Sequence, residues 1–415
     1  MEIENGFEGH WLRRVDEYRH VPIVDFGIGA AKRAGEIALG ISKNLDAMII
    51  TDRPLRDLGL IEGAKNSLED SGFTVEVLAL EAREPTLEEI QKIREAVGKD
   101  CGLVVGLGGG SAMDKAKIAA CLSENPGELK EYLCPSTKPL GGSKPKIMIP
   151  TTAGTGSEVS NTAVVIVPHK DMGTMKTWMS GSQILAEAAL VDPALTLKCP
   201  PVITANAGMD ALSHTAEGVL SIQANPYSDG LELKAIEMVS ENLGTAYHRG
   251  TIEARWNMSL AAMIGGQVIS YPWVAGPACL GHVVSEGISA KYDIPHGEAC
   301  GVVLPYVYWY NLPVPYARKK LAMIAEAMGV DTFGLDDREA AVKAVEATFD
   351  LLEEVDMPTD LGSYGIEDED IPKLSNYILE RSEEMYAMSQ YNPRRATQDN
   401  LEEFFRCAIE GRDSL

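Results

Sequence analysis

The chain has 415 residues, 45% hydrophobic and 24% charged, with a mean hydropathy of −0.07, the profile of a globular protein. At roughly 100–200 residues per domain its length predicts two domains. Lys and Arg total 37 against 61 Asp and Glu, a formal charge of −24 that repels phosphate backbones and anionic lipid and so excludes nucleic acid and membrane surfaces as partners.

No run approaches the roughly 18 apolar residues of a membrane span, and the first 25 residues carry no signal-peptide apolar core. Seven cysteines, an odd number without a C-x-x-C pair, argue against a disulfide framework or a cysteine zinc site. A reducing, cytoplasmic location is expected.

Along the chain, Val21–Phe26, Ala47–Thr51, Thr74–Leu80, Leu103–Leu107 and Lys146–Pro150 read as strands. Amphipathic stretches at Ala31–Ser42, Leu55–Asp70 and Thr86–Gly98 read as the helices between them. That alternation predicts a mostly parallel sheet covered by helices. After Pro200–Pro201 the pattern changes to helical periodicity, over Ala205–Gln223, Asp229–Leu243, Ile252–Val268, Tyr316–Met328 and Arg338–Val355. The expected layout is an α/β domain over 1–200 and an all-α domain over 201–415.

Leu103–Ser111 is an apolar strand running into Gly108-Gly109-Gly110-Ser111, with the helix Ala112–Leu122 following. Bare glycine backbone and the unpaired N–H groups of a helix start suit a phosphate. A tight turn is the alternative. Ser111 and Asp114 have S-x-x-D spacing, which predicts Ser111 as the helix cap. Thr51-Asp52 ends a strand, where an acid either accepts from a ribose hydroxyl or caps the next turn. The usual dinucleotide fingerprint is missing: Gly27-Ile28-Gly29 follows a strand, but Lys32 stands at the third glycine position. A second small-residue segment, Pro150–Ser160, also follows a strand and offers hydroxyls for another cleft wall, or else is a plain polar loop.

In the second half, Asp210 and His214 are four apart, which on a helix places both on one face. His282 and His296 follow, the latter in a turn-like Ile294-Pro295-His296-Gly297-Glu298. Three imidazoles and a carboxylate suit Fe(II) or Zn(II) if the segments converge, and each histidine alone serves as readily as a structural hydrogen-bonding group.

Four motifs then occur in one order: Gly108-Gly109-Gly110-Ser111-x-x-Asp114-x-x-Lys117, Pro150–Glu158, Gly208-Met209-Asp210-Ala211-Leu212-x-His214 and Pro295-His296-Gly297. In these the chain resembles, end to end, the iron-containing (group III) alcohol dehydrogenase family. Phe26-Gly27-x-Gly29-Ala30 and Asn392-Pro393-Arg394 resemble its first turn and its C-terminal signature.

The resemblance implies a dehydroquinate synthase-like architecture with the active site in the cleft between domains. It implies NAD(H) and one divalent metal, Fe(II) first, Zn(II) or Mn(II) next. Gly108, Gly109, Gly110 and Ser111, with Asp114, would form the pyrophosphate loop. Asp52 would meet the adenosine ribose, Thr151, Thr152 and Thr155 would line the cleft, and Lys176 would reach the nicotinamide ribose. Asp210, His214, His282 and His296 would be the metal ligands, with Lys117 and Glu158 architectural.

One departure stands out. Many family members carry a histidine four residues after the third ligand, and here that position is Glu286, a candidate relay or acceptor. Trp273 and Pro277, with Met388, would shape the substrate pocket, and Arg394 and Arg395 are the cations available to an anionic substrate. The expected activity is hydride transfer between NAD(H) and a small primary alcohol or aldehyde, such as a diol, lactaldehyde or sulfoacetaldehyde, in a homodimer or larger homo-oligomer. The competing readings are a dehydroquinate synthase-like lyase, which restores its NAD each cycle, and a non-catalytic NAD- or metal-binding protein.

Overall fold

The computed structural model describes residues 16–136, 138–170, 172–271, 279–384 and 391–415. They fall into two compact units, residues 19–200 and residues 201–415 with 16–18 joined to the latter. Residues 16–18 thus group with the helical unit. Asn225 Nδ2 donates to Asp16 Oδ2 at 3.0 Å and to the Tyr18 hydroxyl at 2.9 Å. The Tyr18 ring also packs edge-on against Tyr227 and Tyr271, which ties this stretch to the helical unit.

The first unit runs β1 (Ile23–Phe26), α1 (Ala34–Ile41), β2 (Asp46–Asp52), α2 (Arg53–Asp57), α3 (Glu62–Asp70), β3 (Thr74–Leu80), α4 (Leu87–Val97), β4 (Leu103–Gly108), α5 (Gly110–Leu122), β5 (Lys146–Pro150), β6 (Thr162–His169), β7 (Gly173–Ser180) and β8 (Ala188–Val191). Six strands form one sheet in the order β1-β8-β5-β4-β2-β3, every neighbouring pair parallel. The antiparallel hairpin β6–β7 and the short β8 lie outside the strands expected from sequence. The helix expected over 55–70 is two helices, because Gly59 takes φ +72° and stops the first.

Period-two alternation explains how the sheet is covered. Met48, Ile50, Val104 and Met148 face Ile90, Ile93 and Met113 on one side. Ile49, Val105 and Ile147 face Ala34, Ala38, Ala64 and Leu68 on the other. Central parallel strands buried on both faces read as near-continuous apolar runs, which is why β2, β4 and β5 were legible. Their register matters for function: Thr51 pairs with Leu107, and Gly108 with Pro150, so the carboxyl ends of the three strands finish abreast. Ligands of open parallel sheets bind at that edge.

The second unit is helical: α6 (Pro201–Leu220), α7 (Pro226–His248), α8 (Ile252–Ile269), α9 (Leu280–Tyr292), α10 (His296–Asn311), α11 (Pro315–Ala327), α12 (Asp337–Glu354), α13 (Ile371–Glu384) and α14 (Gln398–Glu410). Asn225 caps α7 and Pro226 opens it, the pairing that favours a helix start. α6 is the central helix, packed by α7, α8 and α10. α9, α10, α13 and α14 lie outside the helices expected from periodicity. Among the described residues no helix is long and apolar enough to cross a membrane.

Candidate functional site

In the α/β unit, β4 runs into α5, whose N-cap is Gly109 and whose first residue is Gly110. This corrects the expected cap: Ser111 lies within the first turn. Asp114 instead turns inward, accepting from Ser157 Oγ at 2.6 Å and from the Val164 N–H at 2.9 Å, and it holds the loop from beneath instead of lining it. No side chain caps α5, and with the Ala112 N–H bonded to Gly109 O, the amides of Gly110 and Ser111 are the ones left for an anion over the loop.

The two small-residue segments meet. A Cβ on Gly110 would stand 2.6 Å from Thr155 Cγ2, and one on Gly109 3.6 Å from Thr152 Oγ1. The Thr151 N–H donates to Gly108 O at 2.9 Å. Lys117 anchors the pair from below, its buried Nζ donating to Ser157 O at 2.8 Å and to Thr162 O at 2.5 Å. Burial pushes the Glu158 carboxyl up to about 7.

Asp52 ends β2 beside Gly108, its Oδ2 3.4 Å from where a Gly108 Cβ would sit. It makes no cap bond to α2, and its buried Oδ1 has no hydrogen-bond partner among the described residues. Burial pushes its carboxyl up to about 6, against the pull of Lys115. Lys176 is buried in β7 with Nζ 2.8 Å from Glu84 Oε1. The Gly27–Gly29 turn is filled by the chain itself, since Asp192 Oδ2 accepts from the N–H groups of Gly29 at 2.9 Å and Ala31 at 3.4 Å.

In the helical unit three of the four residues expected as ligands, Asp210, His282 and His296, place donor atoms within 4.8 Å of one another, and His214 lies beside them, outside that group. Asp210 Oδ1 lies 3.9 Å from His214 Nδ1 and 3.9 Å from His296 Nε2. The His282 ring stacks on His214 with centroids 4.5 Å apart and stands 5.7 Å from His296. His296 is the first residue of α10, a correction to the turn expected there. The local cause is Gly297: a Cβ would fall 2.1 Å from Asn206 O and 3.1 Å from Asp210 Cβ, so only glycine lets α10 begin against α6.

Two residues that sequence reasoning missed complete the group. Glu217 Oε2 accepts from His282 Nδ1 at 3.1 Å, which turns Nε2 inward, where it is buried without a hydrogen-bond partner among the described residues. A carboxylate behind a histidine is how proteins orient a metal-binding imidazole. Cys300 is the other. The donor atoms of Asp210, His282, His296 and Cys300 all lie within 4.8 Å of one another. Both had a signal: Glu217 falls two helical turns after Asp210, and Cys300 four residues after His296, once that residue is known to start a helix.

Burial opposes a charge on His282, but the Cys300 sulfur and the Glu217 carboxylate outweigh it and hold its pKa well above the usual histidine range. A proton and a divalent ion thus compete for the same Nε2 lone pair. A carboxylate, three imidazoles and a thiol around an unsatisfied nitrogen fit a divalent transition metal.

Glu286, buried one turn beyond His282, has Oε2 3.9 Å from Arg381 Nη2. Arg394 is used structurally, donating to Tyr310 O at 3.0 Å and lying over the Tyr310 ring, and Arg395 is exposed. Trp273, Pro277 and Met388 lie outside the described residues.

Known proteins resemble this chain in sequence and fold. The family described as iron-containing alcohol dehydrogenase matches residues 22–193, and its C-terminal domain matches residues 204–409. Long-chain-alcohol dehydrogenase 1 of Geobacillus thermodenitrificans is 36% identical over 338 residues, 80% of this chain and 83% of that protein. Alcohol dehydrogenase from Oenococcus oeni superposes with a TM-score of 0.86 at 28% identity, covering 95% of this chain and 100% of that one. Sulfoacetaldehyde reductase from Bifidobacterium kashiwanohense, solved with NAD+, gives 0.80 at 29% identity, covering 95% and 99%. With both halves matched in sequence and fold, the chain belongs to the iron-containing alcohol dehydrogenase family and is an NAD-linked, metal-using oxidoreductase of CH–OH groups.

Proposed function

We propose that this enzyme interconverts a small primary alcohol and its aldehyde, toward the polar or anionic end of the range (a diol, lactaldehyde or sulfoacetaldehyde). Asp210, His214, His282 and His296 would hold the divalent ion, Fe(II) before Zn(II) or Mn(II). The observation that carries this reading is His282, whose Nε2 is buried, unsatisfied and aimed at a carboxylate and other ligand-type donors. When bound, the ion supplies Lewis acidity to the substrate oxygen and NAD(H) supplies or accepts hydride.

The chain's own residues do the rest. Glu217 keeps the proton on His282 Nδ1, so the Nε2 lone pair stays directed inward. The Asp210 carboxylate offsets part of the ion's charge, which keeps a buried cation tolerable. The first-turn amides of α5 hold pyrophosphate oxygens. Asp52 accepts from the ribose hydroxyls and would repel a 2′-phosphate, so NAD is favoured over NADP. Thr151, Thr152 and Thr155 form the second wall of the cofactor site, and Lys176, held by Glu84, would reach the nicotinamide ribose. Glu286, facing Arg381, accepts a proton passed on from the substrate hydroxyl. The seven free cysteines support a cytoplasmic setting, and we place the enzyme there as a homodimer or larger homo-oligomer, which light scattering would size.

The test is NADH absorbance over a panel of aldehydes, polar and long-chain, with metal analysis of the same preparation. His282→Ala should lose the metal and on the order of 10³-fold in turnover, several kcal/mol of transition-state stabilisation. Full activity in the metal-free variant would refute the ligand assignment. Product formation with no net change in NADH would point to the lyase.

A further inference from the structure

We propose that Cys300 is a ligand of the same ion, its thiolate joining the carboxylate and the imidazoles to make a mixed nitrogen, oxygen and sulfur site. The inference rests on the metal reading above and goes beyond the Asp210, His214, His282 and His296 set. Its first support is position. Asp210 and His214 are one turn apart on α6, and His296 and Cys300 are one turn apart on α10. Each helix therefore presents a chelating pair on one face.

Distance is the second support. Cys300 Sγ lies 3.6 Å from His296 Nε2, and the same Nε2 lies 3.9 Å from Asp210 Oδ1. Metal–sulfur and metal–nitrogen bonds of about 2.3 and 2.0–2.1 Å limit two donor atoms on one ion to a separation of at most about 4.4 Å. Both separations fall within that span, and because Sγ also lies 3.8 Å from His296 Nδ1, one ion takes both donors once the imidazole turns to aim Nε2 at it.

The thiol is also protected from other fates. It is 1% exposed, and its hydrogen goes to Ser285 Oγ at 3.2 Å, while Ser285 donates its own hydrogen to Gly281 O. On ligation a metal–sulfur bond replaces the S–H bond, and the proton leaves to solvent with no change of oxidation state. The Ser285 hydroxyl can then rotate to donate to the sulfur, so the buried oxygen stays satisfied in both forms. A soft sulfur donor shifts the site toward Zn(II), Co(II) and Fe(II), and away from Mn(II).

Cobalt(II) loading of the full-length enzyme tests this without using activity. The expected result is a sulfur-to-cobalt charge-transfer band in the near ultraviolet at one equivalent of metal. Cys279→Ala, which removes a buried thiol outside the cluster, should keep the band, and Cys300→Ser should lose it. Retention of cobalt against a chelator should fall in Cys300→Ser by at least the roughly 10–100-fold that losing an outer partner costs. Should that variant not fold, Cys300→Ala and the wild-type band decide the matter. One equivalent of cobalt without the band, or a band that persists in Cys300→Ser, overturns the thiolate and leaves the metal reading standing. A protein that takes up no divalent ion overturns the metal reading and the thiolate with it.

Discussion

Each unit buries a cluster of charged groups, and the two are finished differently. Under the glycine loop, Lys117 Nζ is surrounded by Ser157 O, Thr162 O, Ser160 and Asp114, and Asp114 also receives Ser157 and Val164. In the helical unit, donors from α6, α9 and α10 converge, and among the described residues His282 Nε2 meets the Cys300 sulfur but no well-formed hydrogen-bond partner. An unsatisfied buried polar group costs about 1–3 kcal/mol, so a fold retains one where a ligand repays it. The first network is internally satisfied, as a scaffold is. The second has the donor set of a socket.

Breaking the scaffold should have the largest effect on stability. Lys117→Met leaves the Asp114 carboxylate buried without its cation, and removing one partner of such a pair costs about 3–5 kcal/mol. The urea unfolding midpoint of the α/β unit should drop sharply while metal content holds. An unchanged midpoint would mean that Lys117 is not the strut described.

Breaking the socket should show the reverse. Glu217→Ala frees the His282 ring without removing a ligand, so metal affinity should fall roughly 10–100-fold in a competition titration. Stability of the metal-free protein should change much less than in Lys117→Met. Equal effects on both measurements would erase the contrast between the two clusters.

Asp52 sharpens the comparison most finely, because its buried Oδ1 has no hydrogen-bond partner among the described residues. Its pKa is raised, to about 6, so the folded chain holds this proton more tightly than the unfolded chain. Stability from this group is therefore greatest below pH 4 and declines as pH rises to about 6. NAD affinity should run the opposite way, strengthening through the same window as the carboxylate becomes able to accept from the ribose. Asp52→Asn should weaken NAD by about tenfold at pH 7.5, one good hydrogen bond to a charged group, and flatten the pH profile in calorimetric titration. A pH-independent Kd in the wild type would remove Asp52 from the cofactor site.

Much of this was legible beforehand, for local reasons. β2, β4 and β5 are apolar runs ending in Asp, Gly and Pro-Thr, and parallel pairing of such runs brings their ends to one edge. Asp210 and His214 share a face by helical geometry alone. The S-x-x-D spacing points to Ser111 as the cap of α5, whereas Asp114 spends its carboxylate on Ser157 and Val164, partners distant in the chain. His296 was placed in a turn because Pro295 and Gly297 both look like breakers, although Pro295 is the N-cap and Gly297 is required by Asn206 O beneath it.

The amino-acid order by itself pointed to the α/β-then-helical plan, the glycine turn at the end of β4 and the shared face of Asp210 and His214 on α6, because each depends on spacing within one strand or one helix. Only the packing of α6, α9 and α10 decided that His282 and His296 reach Asp210, that Glu217 stands behind one imidazole, and that a thiol joins the group. Those meetings depend on how closely helix backbones approach where Gly297 and Gly281 leave room, a property of side-chain volume in three dimensions that no linear period carries.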